Sequence, residues 1–143
     1  VKKSSNGAHI GIANQLIINE QGIKHPLYSG KKNNFNTPAF NFDEVATLPE
    51  NGVCLASNKI NKVQSMYFKI NNNNVWGLQY HPEITYQKMI QLIKFRKDRL
   101  IETRKVFANH DQVDEHISFI EKEISISDNQ QRMIELKNWL NSF

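Results

Sequence analysis

The sequence predicts an α/β protein, and three observations carry the prediction. From residue 8 to about 84, short apolar runs alternate with polar turns rich in Asn, Gly and Pro, the pattern of strands. From residue 85 onward, apolar residues recur at three- and four-residue spacings, the pattern of helices. Thr85, a residue type that caps helix N-termini, stands where the two regimes meet. The chain therefore divides into a strand-rich part, 1–84, and a helical tail, 85–143, packed on or next to it.

Val1 to Gly7 reads as a polar connector. Strands are expected at Ala8–Ala13, Gln15–Ile18, Ala39–Phe42, Val53–Ala56, Val63–Ile70 and Val75–Tyr80. The last two flank Asn71–Asn74, a hairpin connection that pairs them antiparallel. Met89, Ile90, Leu92, Ile93, Leu100 and Ile101 form a broad apolar face on a first helix. Val113, Ile117, Ile120 and Ile124 form a stripe on a second. Ser127-Asp128-Asn129-Gln130 reads as a capping box opening a third, with Met133, Leu136 and Leu140 on one side.

Composition narrows the class. A chain of 143 residues buries about two thirds of its unfolded surface, enough for one core. With 39% hydrophobic and 22% charged residues it matches an ordinary globular domain. No apolar run approaches the length that spans a bilayer. The single cysteine excludes an internal disulfide and fits a reducing compartment, so a cytoplasmic location is expected. His9, His110 and His116 lack metal-ligand spacing, and no cysteine cluster accompanies them, so zinc is not expected.

The chemistry concentrates at His81-Pro82-Glu83, directly after an apolar strand. Side chains two apart on extended backbone project to one side, so Glu83 can reach the His81 imidazole. Pro82 fixes its own φ and holds His81 extended. A carboxylate beside an imidazole holds one tautomer and stabilises the imidazolium formed when the other nitrogen takes a proton. The pair then needs a nucleophile.

Gly77-Leu78-Gln79-Tyr80-His81-Pro82-Glu83 resembles the Gly-x-Gln-[Phe/Tyr]-His-Pro-Glu signature of class I, triad-type glutamine amidotransferases. The resemblance continues through His25-Pro26-Leu27-Tyr28-Ser29-Gly30, Asp43-Glu44-Val45, Leu48-Pro49 and Leu55-Ala56-Ser57-Asn58, in the family's order. Within the family the chain is similar to stand-alone bacterial members that resemble the glutaminase part of GMP synthase. Those members carry helical tails with endings like Glu135-Leu136-Lys137-Asn138-Trp139-Leu140. The resemblance implies a three-layer, flavodoxin-like sandwich whose complete form has a mainly parallel central sheet. This chain is expected to hold its later strands and to lack the first βα units, which predicts exposed strand edges and marginal stability. It implies hydrolysis of glutamine to glutamate and ammonia through a cysteine thioester, with no metal or organic cofactor needed. His81 is then the base and Glu83 its orienter. The implied partners are glutamine and a synthase subunit or other ammonia acceptor.

The family's nucleophile lies in a Gly-x-Cys-x-Gly turn upstream of the histidine, and Gly52-Val53-Cys54-Leu55-Ala56 imitates it only superficially. Cys54 follows a turn, Ala56 stands where the glycine belongs, and Ser57-Asn58-Lys59 opens another turn instead of a helix. Cys54 is therefore read as a small buried apolar residue, and the chain alone is expected to be inactive. The family's His-Ser-Asp-like segment matches Phe40-Asn41-Phe42-Asp43, which makes Asn41 and Phe42 weak candidates for lining the glutamine pocket. His25 reads as a loop residue.

Other readings remain open. Relatives of the family hydrolyse γ-glutamyl compounds on the same scaffold, and nothing in the sequence separates the two chemistries. A non-catalytic binding module is a further alternative, since Lys94-Phe95-Arg96-Lys97-Asp98-Arg99 and a net charge of +4 give a basic helical surface. Such a run is more often the wet face of an amphipathic helix, so nucleic acid is not the expected partner. Trp139 and Phe143 either cover the core or dock a partner.

Overall fold

A computed structural model describes residues 1–142; Phe143 lies outside the described residues. The strands are β1 (Lys2–Lys3), β2 (His9–Ile10), β3 (Ala13–Ile18), β4 (Phe35–Thr37), β5 (Phe40–Asn41), β6 (Asp43–Glu44), β7 (Val53–Ser57), β8 (Ser65–Ile70) and β9 (Asn73–Leu78). Five of them form one sheet in the order β4-β3-β7-β8-β9. β1 pairs with β6 and β2 with β5 in two short ladders. All the pairings are antiparallel.

The β8–β9 hairpin forms where the sequence predicts it. Its turn is tighter than the four-asparagine run suggests, because Ile70 pairs with Asn73 and only Asn71 and Asn72 stay outside the ladder. Asn71 takes φ 53°, a left-handed conformation that asparagine tolerates.

The expected strand Ala8–Ala13 is in fact broken at Gly11, which has φ +82°. A Cβ there would press on Ile93 and Ile120 at 2.7 and 2.8 Å. The chain changes direction at this glycine, so β2 packs under the helices while β3 enters the sheet. Gln15 (φ 51°) adds a register shift within β3. Elements that were not anticipated include β1, in the expected connector, β4, β6, a 3-10 turn at Pro26–Tyr28, and a helix α1 (Glu20–Lys24) capped by the Asn19 side chain, which accepts from the Gly22 N–H. Gly22 lets α1 lie directly on β7, since a Cβ at that position would collide with the Leu55 carbonyl.

Three helical segments follow, as predicted, with different boundaries. The first, α2 (Tyr86–Asp98), is capped by Thr85 and runs into a π-helical turn at Arg99–Thr103. The second, α3 (His110–Ile126), buries Val113, Ile117 and Ile120. With Ile90, Ile93 and Leu100 these residues pack against Ile10 and Ile12 of the strand-rich part. A separate cluster of Ile18, Leu27, Tyr28, Leu55 and Ala56 fills the space against the sheet. Among the described residues, no helix is long and apolar enough to cross a membrane.

The third segment corrects the capping-box reading. Ser127 closes α3, and the cap is Asp128, whose Oδ1 accepts from the Gln130 and Gln131 N–H groups. The segment also breaks at Met133 into α4 (Asn129–Arg132) and α5 (Ile134–Leu140). The expected apolar side is not the buried one: Leu140 is 63% exposed, whereas Glu135 is 1% exposed. Glu135 can be buried because Lys31 Nζ sits 3.0 Å from Oε2 and the Tyr80 hydroxyl donates to Oε1 at 2.8 Å.

His9 gives the fold a pH dependence. It is 1% exposed, its Nε2 lies 2.7 Å from Gln64 Nε2, and its ring also bonds the Ile12 backbone. Gln64 Nε2 can only donate, so His9 Nε2 is the acceptor and the ring is neutral. Burial lowers its pKa from 6.5 to about 4. The unfolded chain therefore takes up a proton near pH 6.5 that the native state refuses until about pH 4. Stability is full above pH 6.5 and falls across that window by about 3 kcal/mol at most. Urea unfolding of the protein at pH 7 and 4.5 should show a smaller loss for His9→Asn than for the wild type. Equal losses would refute the assignment.

Candidate functional site

The backbone that carries His81 is held at each step. Beyond β9, the Gln79 N–H donates to the Gln64 carbonyl and the His81 N–H to the Pro38 carbonyl, both at 2.8 Å. Between them, Asn41 Nδ2 donates to the Gln79 carbonyl at 2.6 Å. The Ile84 N–H closes a turn onto the His81 carbonyl at 3.1 Å. From the other side, Arg132 Nη1 donates to the carbonyls of Pro82 and Ile84.

On this framework His81 Nδ1 lies 2.8 Å from Glu83 Oε1. With the carboxylate ionised, Nδ1 carries the proton and donates, which leaves Nε2 as a lone-pair base. No other described residue bonds the imidazole, whose side chain is 42% exposed, so Nε2 is open to a substrate. The sequence reasoning for this pair needed only local geometry, and the structure brings the two side chains together.

The weaker candidates, Asn41 and Phe42, make contacts of their own. Asn41 braces Gln79, two residues before His81. Phe42 turns to the opposite side, packs edge-on against Phe40 at 6.0 Å and lies under the Arg104 guanidinium. His25 is a loop residue that accepts from the Leu27 N–H and rests against Tyr67 and Trp76. His116 meets the Ile10 carbonyl, and His110 faces Asp98. Among the described residues, no group of three His, Cys, Asp or Glu side chains could hold a metal ion. In the basic stretch, Arg96 lies over the Phe40 ring, so its stem covers core as well as carrying charge.

Cys54 stands opposite Met66, and Met66 opposite Gly77. Two strand spacings, about 10 Å, thus separate it from β9 before the further rise to His81. Its thiol contacts the Ala56 and Lys62 carbonyls at 3.4 Å, and burial pushes its pKa up. A protonated thiol that far from the base is no nucleophile for it.

Sequence reasoning missed the polar cluster behind the site. Ser65, Tyr28, Tyr80 and Glu135 form a buried chain at 2.6, 2.8 and 2.8 Å, closed by Lys31. Because the carboxylate only accepts, Tyr80 donates to it, Tyr28 to Tyr80, and Ser65 to Tyr28. Burial raises the pKa of both phenols. The partners lie 37 to 104 residues apart, so no local pattern announces them.

This architecture matches, over 99% of the chain, a crystal structure of a glutamine amidotransferase from Thermotoga maritima, with a TM-score of 0.64 and 17% identity. The fold is that of a glutamine amidotransferase. The chain spans about half (53%) of that structure. By sequence, it is 34% identical over 68 residues to a γ-glutamyl-L-1-hydroxyisopropylamide hydrolase from a Pseudomonas species. That stretch is 48% of this chain and 23% of the hydrolase. No protein-family model matches the chain. The two likenesses, one to an amidotransferase and one to a γ-glutamyl hydrolase, support a glutamine amidotransferase-like relationship.

Proposed function

We propose that this chain supplies the acid–base half of an enzyme that cleaves γ-glutamyl amide bonds. The observation that carries the reading is the hydrogen bond between His81 and Glu83 at the exit of β9, with Nε2 left open. The nucleophile is a cysteine outside these 143 residues, positioned so that Nε2 takes its proton. The thiolate adds to the γ-carbonyl of the substrate, and the imidazolium returns the proton to the departing nitrogen as the C–N bond breaks. Water then adds to the thioester with Nε2 again as base, and glutamate leaves as the thiol reforms. Glu83 stabilises the imidazolium in both halves. Asn41 serves the site by anchoring Gln79, two residues before His81, while Phe42 packs against Phe40 and Arg104.

Two substrates fit this chemistry. With glutamine, the product is ammonia for a linked or partner synthase, as in a glutaminase of the GMP synthase kind. The Pseudomonas likeness favours a second, a γ-glutamyl derivative of a substituted amine that is simply hydrolysed. The test is glutamate release from glutamine and from a γ-glutamyl alkylamide by the full-length protein carrying this segment. Preference for the alkylamide selects hydrolase and preference for glutamine selects amidotransferase. Release from neither, by folded protein, overturns the reading.

A further inference from the structure

The helical tail grips both neighbours of His81. Tyr80, immediately before it, donates to Glu135 of α5 at 2.8 Å. Pro82 and Ile84, after it, offer their carbonyls to Arg132 of α4. The helices making these contacts are themselves fastened to the 27–32 loop. Lys31 Nζ donates to the Gln131 carbonyl at 2.6 Å, the Lys32 N–H to Gln131 Oε1 at 2.9 Å, and Asn138 Nδ2 to the Leu27 and Ser29 carbonyls at 2.9 and 3.0 Å.

We infer that Arg132 is a positioning residue for the His81–Glu83 pair, an inference that rests on the function proposed above. His81 and Glu83 are both about half exposed, so packing does not hold their rotamers. What sets their directions is the backbone between them, and Arg132 fixes it by binding the carbonyl of the intervening Pro82 and that of Ile84. A planar guanidinium presents several donors in fixed directions and can hold two carbonyls from one anchor, which an ammonium does less well. Without it, among the described residues, residues 82–84 keep the Ile84-to-His81 backbone bond and the Glu83–His81 side-chain bond. The imidazole then samples directions in which Nε2 no longer meets the nucleophile, and catalysis suffers more than substrate binding.

The test is steady-state kinetics of γ-glutamyl amide hydrolysis by the full-length protein, comparing wild type, Arg132→Gln, Arg132→Lys and His81→Ala. Arg132→Gln should lower kcat at least about tenfold with KM within about twofold, and Arg132→Lys should fall between it and the wild type. Wild-type kcat per folded molecule in Arg132→Gln, with only a lower melting temperature, would make Arg132 a purely structural residue and overturn the inference. If Arg132→Gln does not fold, Arg132→Lys decides: a reduced kcat at unchanged KM supports the inference, and wild-type kcat overturns it. The His81→Ala arm separates the two ideas. Full activity there removes the proposed function itself, whereas an inactive His81→Ala beside a fully active Arg132→Gln removes only the positioning role.

Discussion

Replacing His81 with alanine should cut kcat for γ-glutamyl amide cleavage by about 10²–10⁴-fold, the range that a positioned acid–base group supplies. The loss falls on kcat because both bond-breaking steps pass a proton through Nε2, while nothing in the geometry assigns that nitrogen to ground-state binding. Glu83→Gln should be milder than His81→Ala. An amide can still meet Nδ1 through its oxygen, but it does not stabilise the imidazolium as a carboxylate does. Stability should barely move in either variant, since both side chains are about half exposed and bond chiefly to each other. Steady-state kinetics beside a thermal melt would read both quantities. Equal kcat for wild type and His81→Ala would show that the pair is only a strand-ending ion pair.

The largest expected stability effect belongs to the buried ion pair. In Lys31→Met, the Glu135 carboxylate keeps the Tyr80 hydroxyl but loses its counter-ion in a site where its side chain is 0% exposed. Breaking such a pair from one side costs about 3–5 kcal/mol, because the remaining charge is neither solvated nor neutralised. Adding Glu135→Gln should recover much of that loss, since a neutral amide still accepts from Tyr80 and needs no cation. The double variant is thus expected to be more stable than Lys31→Met alone, a coupling that urea unfolding of the two single variants and the double would measure. A loss below about 1 kcal/mol in Lys31→Met would mean that the pair is solvated or expendable.

The ion pair also shows why amphipathic reading failed in the last helices. Met133, Leu136 and Leu140 share one side by spacing, yet the residue pulled inside is Glu135. Helical periodicity ranks residues by their own polarity, whereas burial of a charge is decided by what meets it. Here the partners are Lys31, 104 residues upstream, and Tyr80, 55 residues upstream. The break of the first strand has the same origin. Ala8–Ala13 is uniformly compatible with a strand, but Gly11 must make room for the methyl groups of Ile93 and Ile120 from two later helices. Asn41 illustrates it from the side of the site: the sequence offered it as a pocket-lining candidate, and its hydrogen bond to Gln79 was not readable there.

By itself the sequence determined the features that rest on short-range geometry. These are the β8–β9 hairpin, the buried stripe of α3, and the meeting of His81 with Glu83, two residues along extended backbone. The tertiary structure alone decided which polar groups go inside, where Cys54 lies relative to the base, and how the tail holds the turn that bears it. Those outcomes depend on groups tens of residues apart satisfying one another's charges and hydrogen bonds, and the cost of leaving them unsatisfied exists only once the chain has folded around them.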